Sequence, residues 1–142
     1  MESKQIRPTQ FEVKAKENSL SGGVPLQTGI TVSIGDLLTI NVSPNDTWSA
    51  GDDNNLTSNA NGLGNPLGGD FPLITKNGFS FLNGSLVGSL DDGKTFFPVG
   101  TRLELTILVP GQLSLFYWDQ NNHDNSGSVT ANVVLYKGSV LA

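Results

Sequence analysis

Cysteine is absent from this chain, and histidine and methionine occur once each. Without cysteine there are no disulfides, no thiolate nucleophile and no Cys-type zinc site, a pattern of cytosolic proteins and of bacterial proteins that leave the cell by a non-classical route. Lysine and arginine are scarce too. Eight of them, scattered singly, stand against thirteen Asp and Glu for a formal net charge of −5, which argues against a phosphate-binding surface and against nucleic acid as a partner. No apolar run approaches the ~20 residues that a helical membrane span requires. The opening M-E-S-K-Q-I-R lacks the apolar stretch of a signal peptide, so the expectation is a cytoplasmic protein, or one released or displayed without a conventional signal. Helical periodicity is missing as well: no segment offers i, i+3, i+4 apolar spacing between capping residues, which predicts essentially no α-helix. No G-x-S-x-G elbow and no Cys nucleophile exist, so an enzyme is not expected.

What remains is a chain of 142 residues with 37% hydrophobic and 15% charged residues, enough for one globular domain with one core. We read residues 1–10 as a polar N-terminal arm and 11–142 as the domain. Phe11, Val13 and Ala15 alternate with Glu12, Lys14 and Lys16, the period of a half-buried strand. Ile30, Val32 and Ile34 alternate, Gly35-Asp36 interrupts, and Leu38, Ile40 and Val42 alternate again, which reads as strand, tight turn, strand. From Ser43 to Asp70 the chain is rich in Pro, Gly, Asn and Asp around Trp48, a long loop of the kind that often carries function. Short strands are expected at 72–74, 84–90, 103–107, 112–117 and 129–136. Many short strands with frequent turn signals indicate an all-β antiparallel sandwich or jelly roll.

The densest chemistry lies between the last two strands, in D-Q-N-N-H-D-N-S-G-S, residues 119–128. Calcium takes roughly six to eight oxygen ligands from carboxylates, amide carbonyls and backbone, and this loop can supply all three. Asp119, Asp124 and Asn125 are the first candidates. Asp, Asn and Gly are equally what tight turns require, so turn formation is the competing reading. The loop is not an EF-hand: counting from Asp119, the sixth position holds Asp124 instead of glycine and the last holds Thr130 instead of glutamate.

The stretches T-G-I-T-V-S-I-G-D-L-L-T-I-N-V-S-P-N-D-T-W-S-A-G, G-S-L-V-G-S-L, G-Q-L-S-L-F-Y-W-D and D-N-S-G-S-V-T-A-N-V resemble the bacterial calcium-dependent galactose-binding lectins of the LecA (PA-I galactophilic) type over residues 11–136. The resemblance implies a small jelly-roll β-sandwich, calcium as cofactor, a carbohydrate partner, and a homo-oligomer, a dimer or tetramer. It further implies Asp119, Asp124 and Asn125 as side-chain ligands of calcium, one backbone carbonyl from Ala50 or Gly51, and another near Asn122 or His123. The spacer from Asp119 to Asp124 is about two residues shorter than in those lectins. Their galactose-contacting H-P-x-Q corresponds to Asn65-Pro66-Leu67-Gly68, which lacks both polar side chains apart from Asn65 itself. Sugar contacts are therefore expected from Asp119, His123, Asp124 and Asn65, with Trp48 or Trp118 as a stacking face or, alternatively, as core. Galactose is the family default. Two other readings stand beside the lectin: a glycosidase using Asp119 and Asp124, and a structural or adhesion module of the same fold that has lost sugar binding. The N-x-S/T sequons at Asn41, Asn45, Asn55 and Asn83 carry little meaning without export.

Overall fold

The computed structural model describes residues 8–51, 56–64 and 73–138. Within them lie twelve β-strands and no α-helix, so the all-β expectation is met. Strands β1 (Thr9–Lys14), β3 (Leu37–Val42), β4 (Trp48–Ser49), β5 (Thr57–Ser58), β10 (Arg102–Thr106) and β12 (Ser126–Tyr136) form one sheet in the order β10-β3-β12-β4-β5, with β1 also paired to β12. Strands β2 (Leu26–Val32), β8 (Leu86–Ser89), β9 (Phe97–Pro98) and β11 (Gly111–Tyr117) form the second, in the order β2-β11-β8-β9. All of these pairings are antiparallel.

The period-two pattern explains the main core. On β12, Val129, Ala131, Val133 and Leu135 are buried while Thr130, Asn132, Val134 and Tyr136 are half-exposed. They join Val13, Leu38, Ile40 and Val42 of the same sheet against Val32, Leu86, Leu113, Leu115 and Tyr117 of the other. Full burial of each such aliphatic contributes about 1.5–3 kcal/mol, which is why one polar face and one apolar face suffice to fix each strand's orientation.

Four sequence expectations change. Strands β2 and β3 are not a hairpin, because β2 pairs with β11 and β3 pairs with β10 and β12. The turn between them crosses from sheet to sheet, held by Asp36, whose carboxylate accepts the Ser33 and Gly138 N–H groups at 2.9 Å each. For the same reason β11 and β12 are not a hairpin either, and the Asp119 loop bridges the two sheets. The long loop from Ser43 is broken by β4 and β5, which pair with each other and attach to the start of β12. Finally, β1 begins at Thr9, inside the expected arm.

A second core was not foreseen. Strands β6 (Leu73–Lys76) and β7 (Phe79–Leu82) form a hairpin through Asn77 (φ 53°) and Gly78 (φ 85°), the Asn-Gly combination that a two-residue primed turn demands. This hairpin covers the outer face of the second sheet, where Phe116, Val87, Phe96, Trp118 and Ile74 are buried with Phe79 and Phe81 against them. Strand β11 is consequently buried on both faces from Leu113 onward, although its sequence alternates.

Candidate functional site

Asp119 lies two residues past the end of β11, and its position is fixed by the residue before it. Trp118 is fully buried in the second core, donates its indole N–H to the Ile74 carbonyl at 2.8 Å, and extends the β11–β8 pairing through its own N–H to the Ser85 carbonyl. Neither tryptophan offers a sugar-stacking face. Trp48, expected among the ligand contacts, is 1% exposed, stacks edge-on against Tyr117 at 4.5 Å, and donates to the Gly84 carbonyl at 2.8 Å. It is a core residue, because an indole held by a hydrogen bond inside the sandwich removes more apolar area from water than any other side chain there could.

The Asp119 carboxylate is 2% exposed and accepts two hydrogen bonds, from the Ser19 hydroxyl at 2.6 Å on Oδ1 and from the Asn125 amide at 2.5 Å on Oδ2. Its backbone carbonyl accepts from the Ser21 hydroxyl at 2.8 Å. Burial pushes the Asp119 carboxyl above the usual carboxylate range, and the Ser19 and Asn125 hydrogen bonds act the other way without cancelling it.

Asn125 is the second fixed point. Its amide nitrogen also donates to the Ala15 carbonyl at 2.8 Å, while its amide oxygen Oδ1 is buried without a partner among the described residues. The ladder pairs Ser126↔Ser49 and Gly127↔Trp48, so Asn125 and Ala50 are the residues that adjoin its end. Ala50 is half-buried and donates its N–H to Leu56, and the Gly51 carbonyl accepts from the Ser49 hydroxyl. Asn122 closes the loop from below: its carbonyl accepts the Asn125 N–H at 3.3 Å and its amide donates to the Lys16 carbonyl at 3.0 Å.

The structure thus gathers Asp119, Asn125 and Asn122, whereas His123 and Asp124 are exposed and Ala50 and Gly51 are bonded within the β4–β5 segment. Asn65, together with Gly68, lies outside the described residues. Ser19, Ser21 and the Ala15 carbonyl went unnoticed in the sequence, since they meet Asp119 and Asn125 across roughly a hundred residues and no spacing rule connects them. No three side chains of His, Cys, Asp or Glu come together among the described residues, so any cation here would rest mainly on amide and backbone oxygens, the donor set of a hard ion such as calcium.

Two grooves bear on where a ligand could sit. One, of about 370 Å³, is polar, lined by Lys14, Lys16, Glu17, Ser126 and Asn125 itself. The other, of about 590 Å³, is mostly apolar, lined by Leu82, Ser85, Pro98, Val99 and Leu103 among others, and includes none of the site residues. The polar groove is the relevant one, because it alone reaches a residue that touches Asp119.

No family model and no curated protein sequence matches the chain. Among solved structures the chain is similar to one described as "EclA N-terminal domain; PllA-like lectin", with a TM-score of 0.61 and 22% identity over 87% of this chain and 92% of that one. The two chains share their overall fold. No helix among the described residues is long and apolar enough to cross a membrane.

Proposed function

We propose that this chain is a calcium-dependent carbohydrate-binding protein whose ligand site is the loop from Asp119 to Asn125. The observation that carries the reading is the Asn125 amide oxygen, buried and without a hydrogen-bond partner among the described residues, on a side chain that also bonds the buried Asp119 carboxylate. A buried polar oxygen left unpaired costs about 1–3 kcal/mol, and a hard cation shared with Asp119 relieves it. The residues are of the kind such an ion takes: Asp119 and Asn125 would supply side-chain oxygens, and carbonyls of Ala50 or Gly51, after β4, and of Asn122 or His123, in the Asp119 loop, would complete the set, with exposed Asp124 as a further carboxylate of that loop. When bound, calcium would orient neighbouring sugar hydroxyls toward the protein. The chain's own part is to hold Asp119 rigidly through Ser19 and Asn125, so that its carboxylate is preorganised. This is binding chemistry and not catalysis, since a carboxylate fixed by two donors is poorly placed to shuttle protons.

Calorimetry of calcium binding to the parent protein and to Asp119→Ala tests the reading. Calcium uptake by the parent with loss in the variant supports it, and equal uptake by both contradicts it. Galactose itself should bind weakly. Loss of two polar contacts at Asn65 and Gly68, each worth about 0.5–1.5 kcal/mol, weakens one site by roughly 5-fold to 150-fold.

One observation favours a second reading, a structural or adhesion module without sugar binding. Both Asp119 oxygens already have protein donors, so the loop can hold its shape with no ion at all.

A further inference from the structure

The chain contains three Asn-Gly pairs, Asn61-Gly62, Asn77-Gly78 and Asn83-Gly84. We propose that Asn77-Gly78 is a site of spontaneous covalent modification, at which the asparagine amide is converted to an aspartyl or isoaspartyl residue, while the fold protects the other two pairs. In the reaction the Gly78 nitrogen attacks Cγ of Asn77 and closes a five-membered succinimide. The Cγ–N bond to the side-chain amide breaks, and that nitrogen leaves as ammonia. The proton lost from the glycine nitrogen passes to solvent base, and the leaving nitrogen takes one up. Water then opens the ring at either carbonyl, giving aspartate or isoaspartate with no change of oxidation state.

The step needs a glycine N–H without an acceptor, a carboxamide free to swing, water at hand, and a backbone able to rotate. Asn83-Gly84 fails on each count. Gly84 is buried, its N–H donates to the Trp118 carbonyl at 2.7 Å, and the Asn83 amide oxygen is buried. Asn61-Gly62 is restrained at both reacting atoms: the Asn61 amide oxygen accepts the Thr101 N–H at 2.8 Å, and the Gly62 N–H donates to the Asn59 carbonyl at 3.1 Å. Asn77 and Gly78 are both exposed, and among the described residues neither the Asn77 side chain nor the Gly78 N–H has a hydrogen-bond partner.

The attack requires rotation about the Asn77 Cα–C and Cα–Cβ bonds, which a two-residue turn closed by the Lys76↔Phe79 pair permits when it opens. Opening two exposed residues at a hairpin tip lies at the low end of local unfolding free energies. Freeing Gly84 means parting the end of β8 from Trp118, which lies toward the global end. The product changes the hairpin. Isoaspartate inserts a methylene into the backbone of a two-residue turn and so breaks the Lys76↔Phe79 pairing that seats Phe79 against Phe96 and Phe81 against Trp118.

Peptide mapping of the intact folded protein, aged in mildly alkaline buffer, decides the matter. Conversion at Asn77 should run at least ~10-fold faster than at Asn61 or Asn83, and the three rates should converge in denaturant, where local structure no longer separates them. Conversion of Asn61 or Asn83 as fast as Asn77 in the folded protein would overturn the proposal. So would an Asn77 that stays intact when folded yet converts in denaturant. For the structural effect, the purified isoaspartyl form should exchange its β6 and β7 amides faster than the Asn77→Asp variant, which keeps the normal backbone; equal exchange would refute that half.

Discussion

At the scale of single residues, Asn125 is where the competing accounts of the loop part. Its amide nitrogen joins Asp119 to Ala15, and its oxygen has no partner among the described residues. Asn125→Ala should therefore cost about 1–3 kcal/mol in chelator, by orphaning the Ala15 carbonyl and one Asp119 oxygen. Asn125→Asp is the sharper variant. A second carboxylate against buried Asp119 should lower the melting temperature in chelator, and saturating calcium should restore most of the loss; a variant as stable as the parent in chelator would show that the two side chains do not meet. The loop's composition was legible in the sequence, and so were Asp119 and Asn125. The outward direction of Asp124 and His123, and the inward direction of Trp48, were not, because side-chain direction in a loop is set by tertiary partners such as Ser19 and Gly84.

At the scale of elements, alternation identified most strands but not the sheet to which each belongs. The pattern in β2 and β3 says which face of each is buried; it is silent on whether the four residues between them fold back or cross over. Asp36 decides this through Gly138, a hundred residues away, and through Lys137 at 3.2 Å. Burial pushes the Asp36 carboxyl up, but the N–H groups of Gly138 and Ser33 and the Lys137 ammonium outweigh it, so its pKa lies below the ordinary value. A depressed folded-state pKa stabilises the protein above the ordinary carboxylate value of about 4 and loses that contribution as pH falls through the folded value. Acid titration of stability should accordingly be flatter in Asp36→Asn than in the parent below about pH 4. The β6–β7 hairpin was missed although Asn77-Gly78 signalled it, because its strands are only four residues each and the outer face of β11 reads as half-polar. Trp118→Phe should cost about 1–3 kcal/mol through the orphaned Ile74 carbonyl, measured by denaturant unfolding. A neutral result would mean that the hairpin is not anchored there.

For the whole molecule, the two cores and the bridging loop make one mechanical unit, since Asp119 ties the end of β11 to the Ser19 turn and to Asn125, the residue just before β12. Calcium binding to the native state alone should then stabilise the entire fold, by about 2.7 kcal/mol at a hundred times its Kd. A single open sugar site binds weakly, so we expect at least a dimer, with avidity lost on dilution to monomer. The test that bears most directly on the account is a glycan array probed with the intact protein in calcium and again in chelator. The account predicts binding to a subset of glycans in calcium only, with simple galactosides among the weaker signals. Equal binding in both conditions would contradict the role of calcium, and binding in neither would favour the structural module.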